Sequence, residues 1–386
     1  MNRIFSIDFT RGLVMIIMAL DHVRDLMHVN ANQSPTDLAT TTPLLFFTRW
    51  ITYLCAPIFV FLAGLSAYIY LKNRGDISQT RRFLLTRGLW LILLEFGLVN
   101  FGLFFDAGFH TLIFEVIAAI GFGFIILSLL LKSSSKTIGF IGLIIIFCHN
   151  LFPLIPFGEG SMAKTIIQPL FSLNVFAITP ERIFIMAYPP VPWLGIMMVG
   201  FVAGKLFELP DDRRKAKFLQ IGYGALLLFA ILRFINIYGD SLPWSSQTDA
   251  LYSFLSFMNV TKYPPSLLFC SITLGVMFLI LAWAEHTKGK WMDIVVVYGR
   301  VPLFYFLLHF YIIHLTLLAM MFLQGFTWAQ LDFASGGFGR PRGIESGVSL
   351  WAIYVIWVAL VLVLYKPCLW FSKYKAEHQQ WWLKYS

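Results

Sequence analysis

Ten stretches of this sequence are long and apolar enough to cross a lipid bilayer, and that pattern decides what the chain can fold into. They cover residues 10–29, 43–71, 83–105, 110–131, 137–155, 190–207, 217–238, 265–284, 301–323 and 348–370. A helical span needs about 18–20 mostly apolar residues to cross a hydrocarbon core about 30 Å thick. Of the 386 residues, 58% are hydrophobic and only 13% are charged. That is too little charge to cover the surface of a soluble domain. The expectation is an all-α, polytopic membrane bundle of about ten helices, forming one domain over residues 1–386.

The formal net charge of +9 sits in short loops. With the N-terminus in the cytoplasm, the inside loops carry Lys72, Arg74, Arg81 and Arg82, then Lys132 and Lys136, then Arg213 to Lys217, then Lys288 and Lys290. The outside loops are longer but hold only Lys164, Arg182, Lys262, Arg340 and Arg342. This bias places both termini in the cytoplasm. No continuous basic face suits nucleic acid, so the bilayer is the expected partner. The four cysteines lack metal-ligand spacing; buried free thiols are expected, and no metal. The first ten residues are too polar for a cleaved signal, so the first span is expected to stay.

Some segments are less regular. Residues 162–178 read as an interfacial or re-entrant helix on the outer side. Spans six and eight both open with Tyr-Pro-Pro, at Tyr188 and Tyr263. Gly200 and Gly204 form a GxxxG pair, the mark of close helix packing. The glycine-rich segment 335–347 reads as a flexible connection on the outer side.

The first span holds a row of polar groups. Arg11 and His22 are eleven steps apart, or about 1100° at 100° per residue, so they share one face of the helix. They are about 16 Å apart along the axis, half the hydrocarbon core. Asp8 lies one turn below Arg11, and Asp25 about one turn above His22. Asp21 adjoins the imidazole; Arg24 and His28 complete the row. Each ionisable group near the bilayer centre costs about 2.5–3.5 kcal/mol, so this row needs a polar cavity or mutual pairing. Three readings fit: an Asp–His pair that packs spans together, a proton-handling histidine oriented by Asp21 or Asp25 as in acyl-transfer sites, and the proton relay of a secondary transporter working through Asp21 and His22.

The R-x10-H spacing of Arg11 and His22 resembles the signature of the transmembrane acyltransferase superfamily. The wider opening (Arg3, Ser6, Asp8, Arg11, Gly12), followed by PIFVFLAGLSAYIYL at 57–71, is similar to its heparan-α-glucosaminide N-acetyltransferase branch and the bacterial relatives of that branch. Looser likeness continues through 193–207 and 298–315. The resemblance implies transfer of an acetyl or short acyl group from cytosolic acetyl-CoA to an amino sugar or other glycan outside the cell. It also implies residence in a bacterial inner membrane, and a homodimer is one assembly open to it. It places Arg11, with Asp8 and Arg300, on the donor. The acyl step falls to His22 or His28, since the two branches point to different histidines.

Other polar residues map to the outer half: Asp37, Arg49, Asp106, His110, Glu115, His149 and Asn150. Arg49 and His110 are the acceptor-side candidates. Glu95, deep in span three, reads as a buried tether in need of a partner. His309 and His314 are about 140° apart on their helix and cannot share one metal from one face; packing with Tyr305 is the reading for His309.

Overall fold

The structure is a computed structural model that describes residues 3–31, 33–158 and 160–384. Its helices are α1 (Phe5–Met27), α2 (Pro43–Thr52), α3 (Cys55–Arg74), α4 (Ile77–Leu94), α5 (Asn100–Phe104), α6 (Val116–Leu130), α7 (Ser135–Cys148) and α8 (Met162–Phe171). They continue as α9 (Pro190–Ala203), α10 (Asp211–Ile235), α11 (Ala250–Met258), α12 (Leu267–Ala284), α13 (Lys290–Arg300), α14 (Pro302–Leu323) and α15 (Leu350–Glu377). Strands β1 (Thr111–Phe114), β2 (Asn174–Thr179) and β3 (Arg182–Met186) form one small sheet.

Eight of the predicted spans coincide with helical stretches long and apolar enough to cross a membrane, from Pro43–Arg74 to Leu350–Glu377. The other two are special. Helix α1 has 23 residues, about 35 Å, but too many charges to pass on composition. Helix α6 has 15 residues, and strand β1 occupies the start of its predicted span. The chain is an all-α polytopic membrane bundle with one small three-stranded sheet.

Three segments differ from the sequence reading. The helix predicted over 162–178 stops at Phe171, and Asn174–Thr179 becomes an edge strand. It pairs antiparallel with β3, which pairs in parallel with β1. The β-branched Val175, Ile178, Ile183 and Ile185 with aromatic Phe176 and Phe184 favour this extended form. Segment 335–347 is anchored, not a plain connection: Arg340 donates to the His28 carbonyl at 2.9 Å and to Ser346 Oγ at 3.1 Å. Val348 then bridges to His28. Finally, Cys55, Cys270 and Cys368 are buried as expected, whereas Cys148 is exposed.

Helix α1 is central, packed against α2, α3, α12, α13, α14 and α15. Its charges therefore face protein and cavities instead of lipid, which is how they are tolerated. The α1–α13 contact is backbone to backbone. A Cβ on Gly299 would land on the Asp8 carbonyl oxygen, and one on Gly12 on the Val295 carbonyl oxygen. The predicted role of Gly200 and Gly204 holds as well: a Cβ on Gly200 would meet the Phe61 backbone, and one on Gly204 the Tyr68 side chain.

Candidate functional site

Two cavities meet beside α1. The larger, about 1240 Å³, lies at the Arg11 end. Seven cations line it (Arg3, Arg11, Lys72, Arg74, Arg87, Arg300 and Lys375) against two carboxylates, Asp8 and Glu208. Such an excess suits a polyanion, because guanidinium groups bind phosphate oxygens through charge-assisted hydrogen bonds. Arg11 is held by Asp8 at 3.4 Å, the Gly299 carbonyl at 3.3 Å and Ser66 Oγ at 3.1 Å. The three predicted donor-side residues, Arg11, Asp8 and Arg300, thus share one wall.

The smaller cavity, about 150 Å³, lies further along α1 and is lined by His22, Asp21, Asp25, Arg49, Glu115 and Lys262 among others. Phe59, Val116 and Phe306 line both cavities and form the partition between them. The one-face prediction for Arg11 and His22 therefore becomes a division of labour: each opens into a different chamber along the same helix.

The predicted Asp21–His22 partnership is not what the helix builds. Neighbouring residues point about 100° apart, and Asp21 turns toward α2. One carboxylate oxygen accepts from Arg24 at 2.8 Å and from Thr52 at 2.8 Å; the other accepts from Arg49 at 2.5 Å. Asp25 pairs with Arg24 at 2.5 Å. His22 instead places Nδ1 2.6 Å from Nε2 of His309. The far nitrogen of His309, Nδ1, lies 2.5 Å from the Phe306 carbonyl and 3.2 Å from that of Tyr305. His22 also stacks on Phe310, with ring centroids 4.4 Å apart.

His28 and His110 stand elsewhere. His28 is the C-cap of α1; its Nδ1 accepts from the Asn30 N–H at 3.2 Å, and it lines neither cavity. His110 pairs with Asp106 at 3.0 Å, also away from both. Arg49 does line the small cavity, as its acceptor-side assignment requires, and Glu115 joins it there. Asp37 and His149 make local hydrogen bonds, and Asn150 accepts from the Leu267 N–H at the start of α12 at 3.0 Å. Glu95 finds its partner in backbone: it accepts from the Ala118 N–H at 2.9 Å and so tethers the start of α6.

Several lining residues were not anticipated. Tyr188 and Tyr263, the two Tyr-Pro-Pro tyrosines, meet with ring centroids 5.3 Å apart at the small cavity. The echo in sequence thus marks one place in space. Lys262, only 7% exposed, sits over the Tyr263 ring at 5.0 Å, and it read in sequence as a loop cation. Among the described residues, no three His, Cys, Asp or Glu side chains gather as a metal site would need.

The family model for heparan-alpha-glucosaminide N-acetyltransferase, catalytic, matches residues 3–237. No curated protein matches the chain. The matched stretch holds Arg11, His22, Arg49, Phe59 and Glu115; Lys262, Arg300, Phe306 and His309 lie beyond it.

Proposed function

The chain belongs to the heparan-α-glucosaminide N-acetyltransferase catalytic family, and from that premise we propose that it moves an acetyl group from cytosolic acetyl-CoA to an amino sugar or other glycan on the outer side of a bacterial inner membrane. The observation that carries this reading is the pair of cavities, one rich in cations and one holding His22, that share the apolar lining residues Phe59, Val116 and Phe306.

Arg11, Arg300 and their cationic neighbours would hold the phosphates of the donor, whose thioester end reaches the partition. The basic loops around Lys72 and Arg74 support a cytoplasmic position for that chamber by the positive-inside rule. In the small cavity, the acceptor nitrogen or oxygen attacks the thioester carbonyl carbon while His22 takes its proton. The C–S bond breaks, and the proton returns to the departing thiolate, giving free coenzyme A and the acetylated acceptor. A relay through acyl-His22 gives the same products in two transfers. Lys262 and Arg49 supply positive charge where the carbonyl oxygen becomes negative. His28 has no place in this scheme, since it caps α1 outside both cavities. The transporter reading draws less support, because the Asp21 carboxylate accepts from Arg24, Arg49 and Thr52, and His22 hydrogen-bonds to His309 instead.

The test is thiol release from acetyl-CoA by the purified protein in detergent, with a panel of amino sugars. Release should depend on His22 and survive His28→Ala. Arg11→Met should raise the KM for acetyl-CoA. Full activity in His22→Ala would sink the mechanism.

A further inference from the structure

His309 lies outside the matched family stretch and is fully buried. We infer that His309 is a positioning residue that fixes the tautomer of His22, leaving the reactive lone pair on His22 Nε2. The inference rests on the reading of His22 as the group that handles the acyl transfer.

The chain of hydrogens follows from two distances. Carbonyl oxygens can only accept, so the 2.5 Å contact to Phe306 requires the hydrogen of His309 to sit on Nδ1. A second hydrogen on that ring would make a buried cation, and among the described residues no carboxylate lies within ion-pair range of it. His309 is therefore neutral, and its Nε2 is an acceptor. The 2.6 Å contact to His22 then needs a hydrogen on His22 Nδ1. A neutral imidazole holds one hydrogen, so His22 Nε2 is bare, and no hydrogen bond engages it among the described residues. Stacking on Phe310 holds the ring plane. A backbone carbonyl acting through His309 does here what a carboxylate does in hydrolase triads, without placing an ion in an apolar core. In the transfer step, Nε2 accepts the acceptor's proton or attacks the thioester carbon; in either case Nδ1 keeps its hydrogen toward His309.

The test combines spectroscopy with kinetics on the full chain in detergent. In ¹⁵N-histidine-labelled protein, with His22 assigned by loss of its signals in His22→Gln, the expected pattern is protonated Nδ1 and bare Nε2. A spectrum with hydrogen on Nε2 overturns the proposal, whether or not any acceptor is turned over. His309→Leu should lower kcat by roughly 10²–10⁴-fold, the span seen for lost outer partners and wrong tautomers. Its KM for acetyl-CoA should not change. His309→Gln, whose amide oxygen can accept from His22 Nδ1, should recover much of the loss. Wild-type kcat in His309→Leu overturns the positioning role. If the wild type itself turns over no acceptor, the functional reading fails while the tautomer measurement still decides this one.

Discussion

Replacing Asp21 with asparagine separates two roles that sequence alone assigns to the same residue. If Asp21 orients His22, Asp21→Asn should cut kcat by about 10⁴-fold, as a wrong tautomer does, and leave stability nearly unchanged. The geometry demands the opposite. Asp21 receives Arg24, Thr52 and Arg49, and the side chains of Asp21, Arg24 and Arg49 are 10%, 3% and 14% exposed. Removing the charge leaves the buried Arg49 guanidinium without its counter-ion, while Arg24 keeps Asp25, and breaking one partner of a buried ion pair costs about 3–5 kcal/mol. Unfolding entropy of about 2.1 cal/mol/K per residue gives about 0.8 kcal/mol/K for a 386-residue chain. The apparent melting midpoint should therefore fall by about 5 °C at a fixed scan rate. Well below that midpoint, kcat should change by no more than about tenfold, the low end for an outer partner. A variant that melts like the wild type but has lost its kcat would refute the clamp and restore Asp21 as the orienter.

Three further outcomes follow from the packing. Phe59→Ala opens the partition and should raise kcat/KM for butyryl-CoA relative to acetyl-CoA by about tenfold or more, since each methylene is worth about 1–3 kcal/mol; an unchanged ratio in competition assays removes the partition from acyl selection. Gly299→Ala drives a Cβ into the Asp8 carbonyl and should displace α13, which carries Arg300. Overpacking of about 1–3 kcal/mol should appear as a lower melting midpoint together with a higher KM for acetyl-CoA. On the loop after α14, burial would raise the Asp332 carboxyl, but hydrogen bonds from Ser335 and Arg342 outweigh it and hold the group below its usual range. A depressed carboxylate stabilises the loop above the unfolded pKa and loses that effect as pH falls through the folded one. Proteolysis within 332–342 should therefore rise only below about pH 4, and Asp332→Asn should show the higher rate at neutral pH.

Helical geometry made the long-range layout legible. Eleven steps put Arg11 and His22 on one face, and the structure gives each a cavity along that face. The spans were readable because lipid imposes long apolar runs. Partnerships across the bundle were not. Asp21 and His22 are adjacent in sequence but diverge by about 100° on the helix, while the true neighbour of His22 is His309, 287 positions away. Lys262 looked like one more loop cation, because only tertiary packing buries it over Tyr263. Residues 162–178 merged into one apolar window, and the β-branched and aromatic content that favours a strand at Asn174–Thr179 was lost inside it. The glycines of 335–347 suggested slack, yet one residue, Arg340, ties that segment to the end of α1.

The partition of Phe59, Val116 and Phe306 carries an electrical consequence. Where two hollows approach each other inside a bilayer, the membrane voltage drops mainly across whatever insulator remains between them. A unit charge crossing that layer exchanges about 2.3 kcal/mol per 100 mV with the field. On the proposed transfer, an acetyl group would cross it for nothing, being neutral, whereas the proton released by the acceptor and the thiolate left by the donor would begin on opposite sides of it. Turnover in sealed vesicles under an imposed potential reads that separation directly: three apolar side chains would make the enzyme a sensor of the voltage it has to preserve.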